Sequence, residues 1–419
     1  MIKRKIFNEL LEHLPKKEIT LIVGPRQVGK TTLMRWIEDR LIQDKKKTIF
    51  LNLDYDHDRT FFKSHDELIV KLKLTFGTEY GFVFIDEIQR KENAGLFLKG
   101  LYDLDLPYKF IVSGSGSLEL KEKIHESLAG RKRLFEVEPV NFEEFVNFKT
   151  GYQYEDRLSA FFAVEKNRTG QMLNEYLRFG GYPRVVVGES LEEKTKEMTE
   201  IVRSYLDKDI AYFFKQGNTE AFRTMITLLG SQNGQLVNFS KLSSLCGVSL
   251  PTVKKYLWYA EKTFAIYAAR PFFRNVRKEI TKSPIYYFTD LGFCNHALNT
   301  FGQPLDGNRV GFLFQNFIAN NIQDKLRFTG QTLGFWRTTD KAEVDFVVRK
   351  GVEVLPIEVK YSDLKKPEVT RSLRSFIGKY SPQRAFVVNL GLKASLKIDK
   401  TTVRFIPFHF LLTEKNFLT

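Results

Sequence analysis

The chain has 419 residues, with 43% hydrophobic and 14% aromatic side chains, and 65 Lys+Arg against 50 Asp+Glu for a formal net charge of +15. That length exceeds one ordinary domain of about 150 residues, and that much apolar material excludes disorder as the main theme. No apolar run approaches the roughly 18 to 20 residues of a spanning helix, and MIKRKIFNELLEHLPKK is charged and amphipathic without a cleavage region, so a cytoplasmic protein without a membrane partner is expected.

Phe7 to Leu14 reads as an amphipathic helix and Glu18 to Val23 as a short apolar strand. The run Gly24-Pro25-Arg26-Gln27-Val28-Gly29-Lys30-Thr31-Thr32 follows and opens a helix over Thr31 to Leu41, which fits G-x-x-x-x-G-K-[ST] in its required strand–loop–helix context. Such a loop wraps phosphate with inward N–H groups, and a side chain at Gly29 would obstruct that approach. Lys30 then supplies a point charge for the β- and γ-phosphates of ATP, Thr31 a hydroxyl for Mg²⁺, and the helix N-terminus a favourable dipole.

Further strands are expected over Lys47 to Leu53, Gly81 to Ile85 and Tyr108 to Val112, which predicts an α/β, doubly wound parallel sheet with its ligand at the carboxyl ends of the strands. The third strand ends in Asp86-Glu87. Asp86 is placed to hold Mg²⁺ and Glu87 to polarise an attacking water. The SGSGS segment after the fourth strand offers Ser115, and second Ser113, as a sensor of the γ-phosphate. Arg131 and Arg133 in AGRKR are candidates for a charge-stabilising finger, in cis or in trans, with a solvated basic loop as the alternative.

Residues 151–280 read as a helical connector with a GGYP turn at Gly180 to Pro183, followed from about residue 219 by a winged helix. The connector shows no arrangement of acid, base or nucleophile. In FSKLSSLCGVSLPTVKKYLWYAEKT two helices flank a Gly247-Val248-Ser249 turn, and AIYAARPFFRNVRKEI alternates apolar and basic residues as a β-ribbon does. Ser249 to Tyr256 would face a nucleic-acid groove, with Lys254 and Lys255 on phosphates and Arg274, Arg277 and Lys278 on the wing. Protein contact is the other use of such a module.

The charge is uneven: residues 1–150 carry 26 Lys+Arg against 24 Asp+Glu, residues 151–250 carry 12 against 12, and residues 251–419 carry 27 against 14. The surplus is therefore C-terminal, which points to a polyanion, with double-stranded DNA ahead of a merely solvated basic surface. Cys246 and Cys294 lie far apart with no CxxC, which excludes a disulfide framework and a zinc cluster.

Residues 281–419 read as a mixed α/β domain. In AEVDFVVRKGVEVLPIEVK two apolar strands flank Lys350-Gly351, and alternation places Glu343 and Asp345 on one face of the first and Glu358 and Lys360 on one face of the second. If the hairpin joins those faces, Asp345 and Glu358 can hold Mg²⁺ while Lys360 stabilises developing phosphorane charge, which is phosphodiester-cleaving chemistry; a charged surface hairpin is the alternative. Gln315, on a helix just upstream, stands where a third ligand could sit.

Over essentially its whole length the chain resembles bacterial and archaeal AAA-type P-loop ATPases with a C-terminal half known as a domain of unknown function. The resemblance rests on GPRQVGKTTL, FIDEIQ, SGSGS, AGRKRLFEVEPVNFEEF, YLRFGGYP, YLDKDI, YYFTDLGF, and WRTTDKAEVDFVV with PIEVK. The last pair resembles the PD-(D/E)xK restriction-endonuclease-like fold. That resemblance implies that Asp345, Glu358 and Lys360 fall on the core motif and Glu343 on its frequent acidic neighbour. In this chain LFQNF carries Gln315 where the family usually has Glu. The implied protein is an ATPase with ATP and Mg²⁺ as cofactors, acting on or near DNA, with a homo-oligomer or a further protein partner compatible with AAA-type sites. The rival reading is a signalling or scaffold switch whose nuclease-like domain only binds.

Overall fold

The structure, a computed structural model, describes residues 2–115, 128–211, 219–273, 283–305 and 307–414. Helix α1 (Ile6–His13) leads into β1 (Ile19–Gly24), and α2 (Lys30–Gln43) starts directly after the glycine loop, with residues 25–29 between the two. Strands β2 (Lys47–Asn52) and β3 (Gly81–Asp86), helix α3 (Ala94–Asp103), and strands β4 (Tyr108–Ser115) and β5 (Lys132–Glu136) complete a sheet of order β2-β3-β4-β1-β5. Every neighbouring pair is parallel. All residues of β1, β3 and β4 are buried, because crossover helices cover both faces of a parallel sheet, which is why these strands read as mainly apolar runs without regular alternation. Strand β5 (KRLFE) buries only Phe135 and so looked like part of a basic loop in the sequence.

The parallel register fixes what shares a rim. Gly24 lies level with Ser115, and Asn52 with Asp86, so the glycine loop, the Asp86-Glu87 pair and the end of β4 all emerge at the carboxyl edge.

Helices α4 (Phe142–Lys149), α5 (Lys166–Phe179), α6 (Pro183–Val187) and α7 (Leu191–Ser204) follow, and α7 runs into a π-helical turn, Tyr205–Ile210. Next come α8 (Thr219–Ser231), α9 (Phe239–Cys246) and α10 (Leu250–Lys262). Gly247, in the left-handed conformation, ends α9, and the Ser249 hydroxyl accepts from Thr252 N–H to start α10. Leu236 bridges to Ile285, so a short extended stretch before α9 touches the strand that comes after α10.

Strands β6 (Ile266–Pro271) and β7 (Ile285–Phe288) pair antiparallel, and β6 also pairs with β8 (Thr332–Arg337) beyond helices α11 (Leu291–Ala297) and α12 (Gly307–Leu326). With β9 (Glu343–Lys350), β10 (Glu353–Val359), helix α13 (Arg371–Tyr380), β11 (Arg384–Asn389), β12 (Ala394–Ile398) and β13 (Thr401–Pro407) they form an eight-stranded mixed sheet of order β12-β13-β11-β10-β9-β8-β6-β7. The boundary expected at 280/281 therefore falls between two paired strands of one continuous sheet. Backbone hydrogen bonding to β8 decides this, and no local pattern in the 266–271 segment reports it.

The apolar core is also continuous. One cluster runs from Ile22 and Phe84 of the parallel sheet through Met198 and Ile201 of α7 to Val253 and Leu257 of α10. A polar joint lies beside it. Asp290, the N-cap of α11, accepts from Gly181 N–H (2.7 Å) and Phe293 N–H (2.8 Å), and Asn295 donates to the carbonyls of Leu177 and Arg178 (2.9 Å each). A Cβ at Gly181 would stand 2.1 Å from the Val140 carbonyl oxygen, so only glycine lets the GGYP turn reach this position. The YLRFGGYP and TDLGF motifs are thus the two halves of one joint. Among the described residues no helix is long and apolar enough to cross a membrane, and Cys246 and Cys294 are free and buried.

Candidate nucleotide site and C-terminal carboxylate site

Residues 24–29 link β1 to α2, and Gly29 sits at φ +94° as the residue before the helix. A Cβ there would meet no atom within 4 Å, so what demands glycine in the chain itself is this left-handed backbone. Lys30 is buried and donates to the carbonyls of Gly24 (3.0 Å) and Pro25 (2.7 Å), which leaves one of its three ammonium protons for another acceptor. Burial lowers its pKa to about 8, opposed by the charges of Glu87 and Asp209.

Thr31 Oγ1 donates to Asp86 Oδ2 (2.8 Å), and Asp86 Oδ1 accepts from the Ser113 hydroxyl and from Glu87 N–H (3.1 Å). The expected hydroxyl and carboxylate for Mg²⁺ are therefore adjacent, and two hard oxygen donors suit that ion. Ser113 is spent on holding Asp86. Ser115 Oγ is buried, level with Gly24, and makes no hydrogen bond to a described residue; Gly116 and Ser117 of SGSGS lie outside the described residues. Glu87 adopts a left-handed backbone at φ 57° and accepts from Gln89 Nε2, while Gln89 Oε1 accepts from Ser115 N–H (3.2 Å). Gln89 thus ties Glu87 to the end of β4, a link that sequence reasoning missed although the residue stands in the quoted FIDEIQ.

The connector, in which no arrangement of acid, base or nucleophile was expected, reaches the loop with an ion pair and a cavity wall. Arg26 Nε donates to Asp209 Oδ1 (2.8 Å) in the π-helical turn, and burial raises the Asp209 pKa against the pull of Arg26 and Lys30. A cavity of ≈350 Å³ beside the loop is lined by Val28, Gly29, Thr32 and Trp36 from the P-loop side and by Pro183 and Arg184 from α6. Long-range packing alone brings α6 there.

Arg131 does not reach this rim. It stands at the amino end of β5, where its carbonyl accepts from Ile19 N–H (2.9 Å), and its guanidinium is bound to Asp103 (2.7 Å). Ile19 and Gly24 are the two ends of β1, about 16 Å apart at strand rise, so a finger in cis is excluded for Arg131. Arg133, level with Thr20, lies over the Phe328 ring (5.3 Å) and likewise faces away from the loop.

In the C-terminal sheet, β9 and β10 form the expected hairpin, with Phe346 opposite Ile357. Val359 N–H donates to Asp345 Oδ2 (2.7 Å), and Lys360 Nζ lies 4.0 Å from Glu358 Oε2. Asp345, Glu358 and Lys360 are thus brought together. Glu358 Oε1 accepts from the Thr370 hydroxyl, but Oε2 is buried without a hydrogen-bond partner. Burial raises the Asp345 pKa to about 7, although the Val359 N–H and Lys360 favour its charged form. Gln315 Nε2 donates to Tyr287 Oη (3.1 Å) and to Asp345 Oδ1 (3.3 Å), so Gln315 occupies the third position as a donor rather than as an anion. Glu343 turns instead to Arg337 (3.2 Å). Among the described residues no group of three or more His, Cys, Asp or Glu is arranged to hold a metal ion.

Helix α10 exposes Lys254, Lys255 and Trp258, and Lys262 lies over the Trp258 ring (5.7 Å). The exposed Trp258 was not singled out from the sequence; its i±4 spacing from Lys254 and Lys262 was the available signal. Arg274, Arg277 and Lys278 lie outside the described residues.

Residues 16–146 match the family described as "AAA domain". The N-terminal part is thus an AAA-type P-loop domain, a nucleotide-binding fold. Residues 170–303 and 310–411 match two domains of unknown function, DUF8612 and DUF4143. The chain is 25% identical over 392 residues to an uncharacterized protein of Mycobacterium tuberculosis, covering 93% of this chain and 80% of that one. It is 26% identical over 358 residues to an uncharacterized protein of Methanocaldococcus jannaschii, covering 83% and 76%. Among solved structures it is similar to the Aeropyrum pernix ORC1 protein in complex with DNA, at TM-score 0.32 and 14% identity over 70% of this chain and 91% of that one. AMPPCP-bound DnaA from Aquifex aeolicus overlaps at TM-score 0.26 and 16% identity, over 62% and 86%. Overlaps this loose place no site and no ligand.

Proposed function

We propose that the protein is a Mg²⁺-dependent ATPase whose nucleotide state is coupled to DNA binding. The observation that carries this reading is the convergence of Lys30, Thr31, Asp86, Glu87 and Ser115 on one rim of the parallel sheet. Thr31 and Asp86 would hold Mg²⁺, which neutralises charge between the β- and γ-phosphates when bound. Lys30 would bind phosphate, Glu87 take the proton of the attacking water, and Ser115 donate to a phosphate oxygen. The adenine would enter the cavity beside Trp36 and Pro183. Arg131 would serve only a neighbouring copy, which requires a homo-oligomer. The direct test of the ATPase is the pair of substitutions with which the Discussion opens.

Helices α8 to α10 with β6 and β7 are read as a winged helix bearing the DNA contact, with the sheet beyond as a restriction-nuclease-like domain in a cytoplasmic protein. The exposed Lys254 and Lys255 support it. Replacing both by Ala is expected to weaken binding to any duplex and to lower the salt slope of log K by about 2, near 0.9 per phosphate contact. Fluorescence anisotropy across a salt series measures it; an unchanged slope removes α10 from the interface.

One observation favours a second reading, DNA cleavage at the C-terminal site: the buried Glu358 Oε2, which makes no hydrogen bond and has only Lys360 at 4.0 Å, close to Asp345. A buried carboxylate oxygen without a hydrogen bond is costly unless something binds it, and Mg²⁺ completes its shell with water. Asp345→Asn should then reduce Mg²⁺-dependent nicking of plasmid DNA by at least about a hundredfold. Intact plasmid with the unaltered protein and Mg²⁺ would leave the domain as a binding module for DNA or a protein partner.

A further inference from the structure

We infer that Arg26 and Asp209 transmit phosphate binding at the P-loop to the C-terminal end of α10, through the π-helical turn Tyr205–Ile210. The inference rests on the nucleotide-binding reading above and names how that site is linked to the basic helix.

Arg26 belongs to the glycine loop, but its Nε donates to Asp209 Oδ1 (2.8 Å) outside the parallel sheet. Its side chain is 19% exposed and that of Asp209 only 6%. The Arg26 Nη groups make no hydrogen bond to a described residue, which leaves them as spare donors for phosphate oxygens, while the Nε edge is held by the carboxylate. A buried carboxylate that loses its cation is strongly destabilised. If Arg26 shifts toward a bound phosphate, the turn that carries Asp209 must therefore follow.

The same turn begins at Tyr205, four residues before Asp209, so a single helical turn carries both side chains. Tyr205 is buried, and its Oη lies 2.9 Å from Thr263 Oγ1. Thr263 is the C-cap of α10, and its hydroxyl donates to the Tyr259 carbonyl (2.7 Å), which leaves the oxygen to accept from Tyr205. The Tyr205 ring also packs perpendicular to Phe293 of α11, at 5.4 Å between centroids. Arg26, Asp209, Tyr205 and Thr263 thus form a continuous line from the phosphate loop to the helix that exposes Lys254, Lys255 and Trp258. π-helical turns are rare and concentrate at functional sites. The YLDKDI motif supplies both contacts, Tyr205 on one side and Asp209 on the other.

The test is hydrogen exchange by mass spectrometry on the full-length protein with Mg²⁺ and a non-hydrolysable ATP analogue, beside calorimetric binding of the same analogue. In the unaltered protein the analogue should change exchange in residues 205–211 and in residues 259–264 by about fivefold or more, the lower end of ordinary coupling between two sites. Tyr205→Phe keeps the ring packing and removes only the hydroxyl. It should bind the analogue, retain the change at 205–211 and lose it at 259–264. Asp209→Asn should bind the analogue through Lys30 and the loop amides and lose the change at both places. Arg26→Gln, which cuts the same link from the partly exposed side, covers an Asp209→Asn chain that fails to fold. A purely structural role for these residues would leave the response of a folded variant unchanged. Analogue bound with no change at 259–264 in the unaltered protein, or a full change surviving in Tyr205→Phe, overturns the inference. Failure of the unaltered protein to bind the analogue overturns the nucleotide reading itself, and the calorimetric arm separates that result from the others.

Discussion

Lys30→Ala is expected to abolish measurable ATP binding, whereas Glu87→Gln should bind ATP and hydrolyse it about a hundredfold to ten-thousandfold more slowly, the usual range for losing a general base. The two differ because their groups act at different moments. Lys30 is a buried cation whose spare proton meets phosphate in the ground state, so its loss removes binding. Glu87 sits on a left-handed backbone with one oxygen held by Gln89, next to Asp86 but without a hydrogen bond to Thr31 or Lys30, and is thereby aimed without being part of the cradle. Calorimetry and steady-state phosphate release on the two variants measure the split. Equal turnover in both and in the unaltered protein would refute the assignment. The burial that lowers the Lys30 pKa to about 8 adds a pH signature: above that value the free protein must take up a proton to bind a triphosphate, so affinity should fall as pH rises through about 8.

Asp290→Ala should lower stability by about 2 to 6 kcal/mol, since it strands the buried N–H groups of Gly181 and Phe293 at about 1 to 3 kcal/mol each. The loss should spread beyond α11, because this joint fixes the GGYP turn and, through it, the α6 wall of the cavity beside the glycine loop. Thermal denaturation and limited proteolysis between α5 and α7 would show it; an unchanged melting temperature would deny the joint its role. Asp290→Asn isolates the charge. Burial raises the Asp290 pKa to about 6 from 3.8, so the folded chain holds this proton more tightly than the unfolded chain does. The stability of the unaltered protein relative to Asp290→Asn should therefore be greatest below about pH 3.8 and decline as pH rises through about 6.

The phosphate loop, the Asp86-Glu87 pair and the Asp345–Glu358–Lys360 hairpin were legible in the residues themselves, because each depends on local grammar: a strand, a loop with a required conformation, or alternation across a short turn. The parallel strands β1, β3 and β4 were equally legible, since burial on both faces leaves a mainly apolar signature. What only the tertiary structure decided has a common physical cause, contact between residues far apart in the chain. The half-exposed β5 carries too little apolar signal to be seen alone, and its direction places Arg131 at the edge away from the loop. Pairing of β6 with β8 makes one sheet across the expected boundary at 280/281. Asp209 and Pro183, in a connector whose GGYP turn was visible but whose neighbours were not, come to the candidate nucleotide site because α2, α6 and α7 share one continuous core. Sequence alone determined which chemistry the chain carries; packing determined which side chains surround it, since hydrophobic burial is non-directional and reports no partner until the fold is closed.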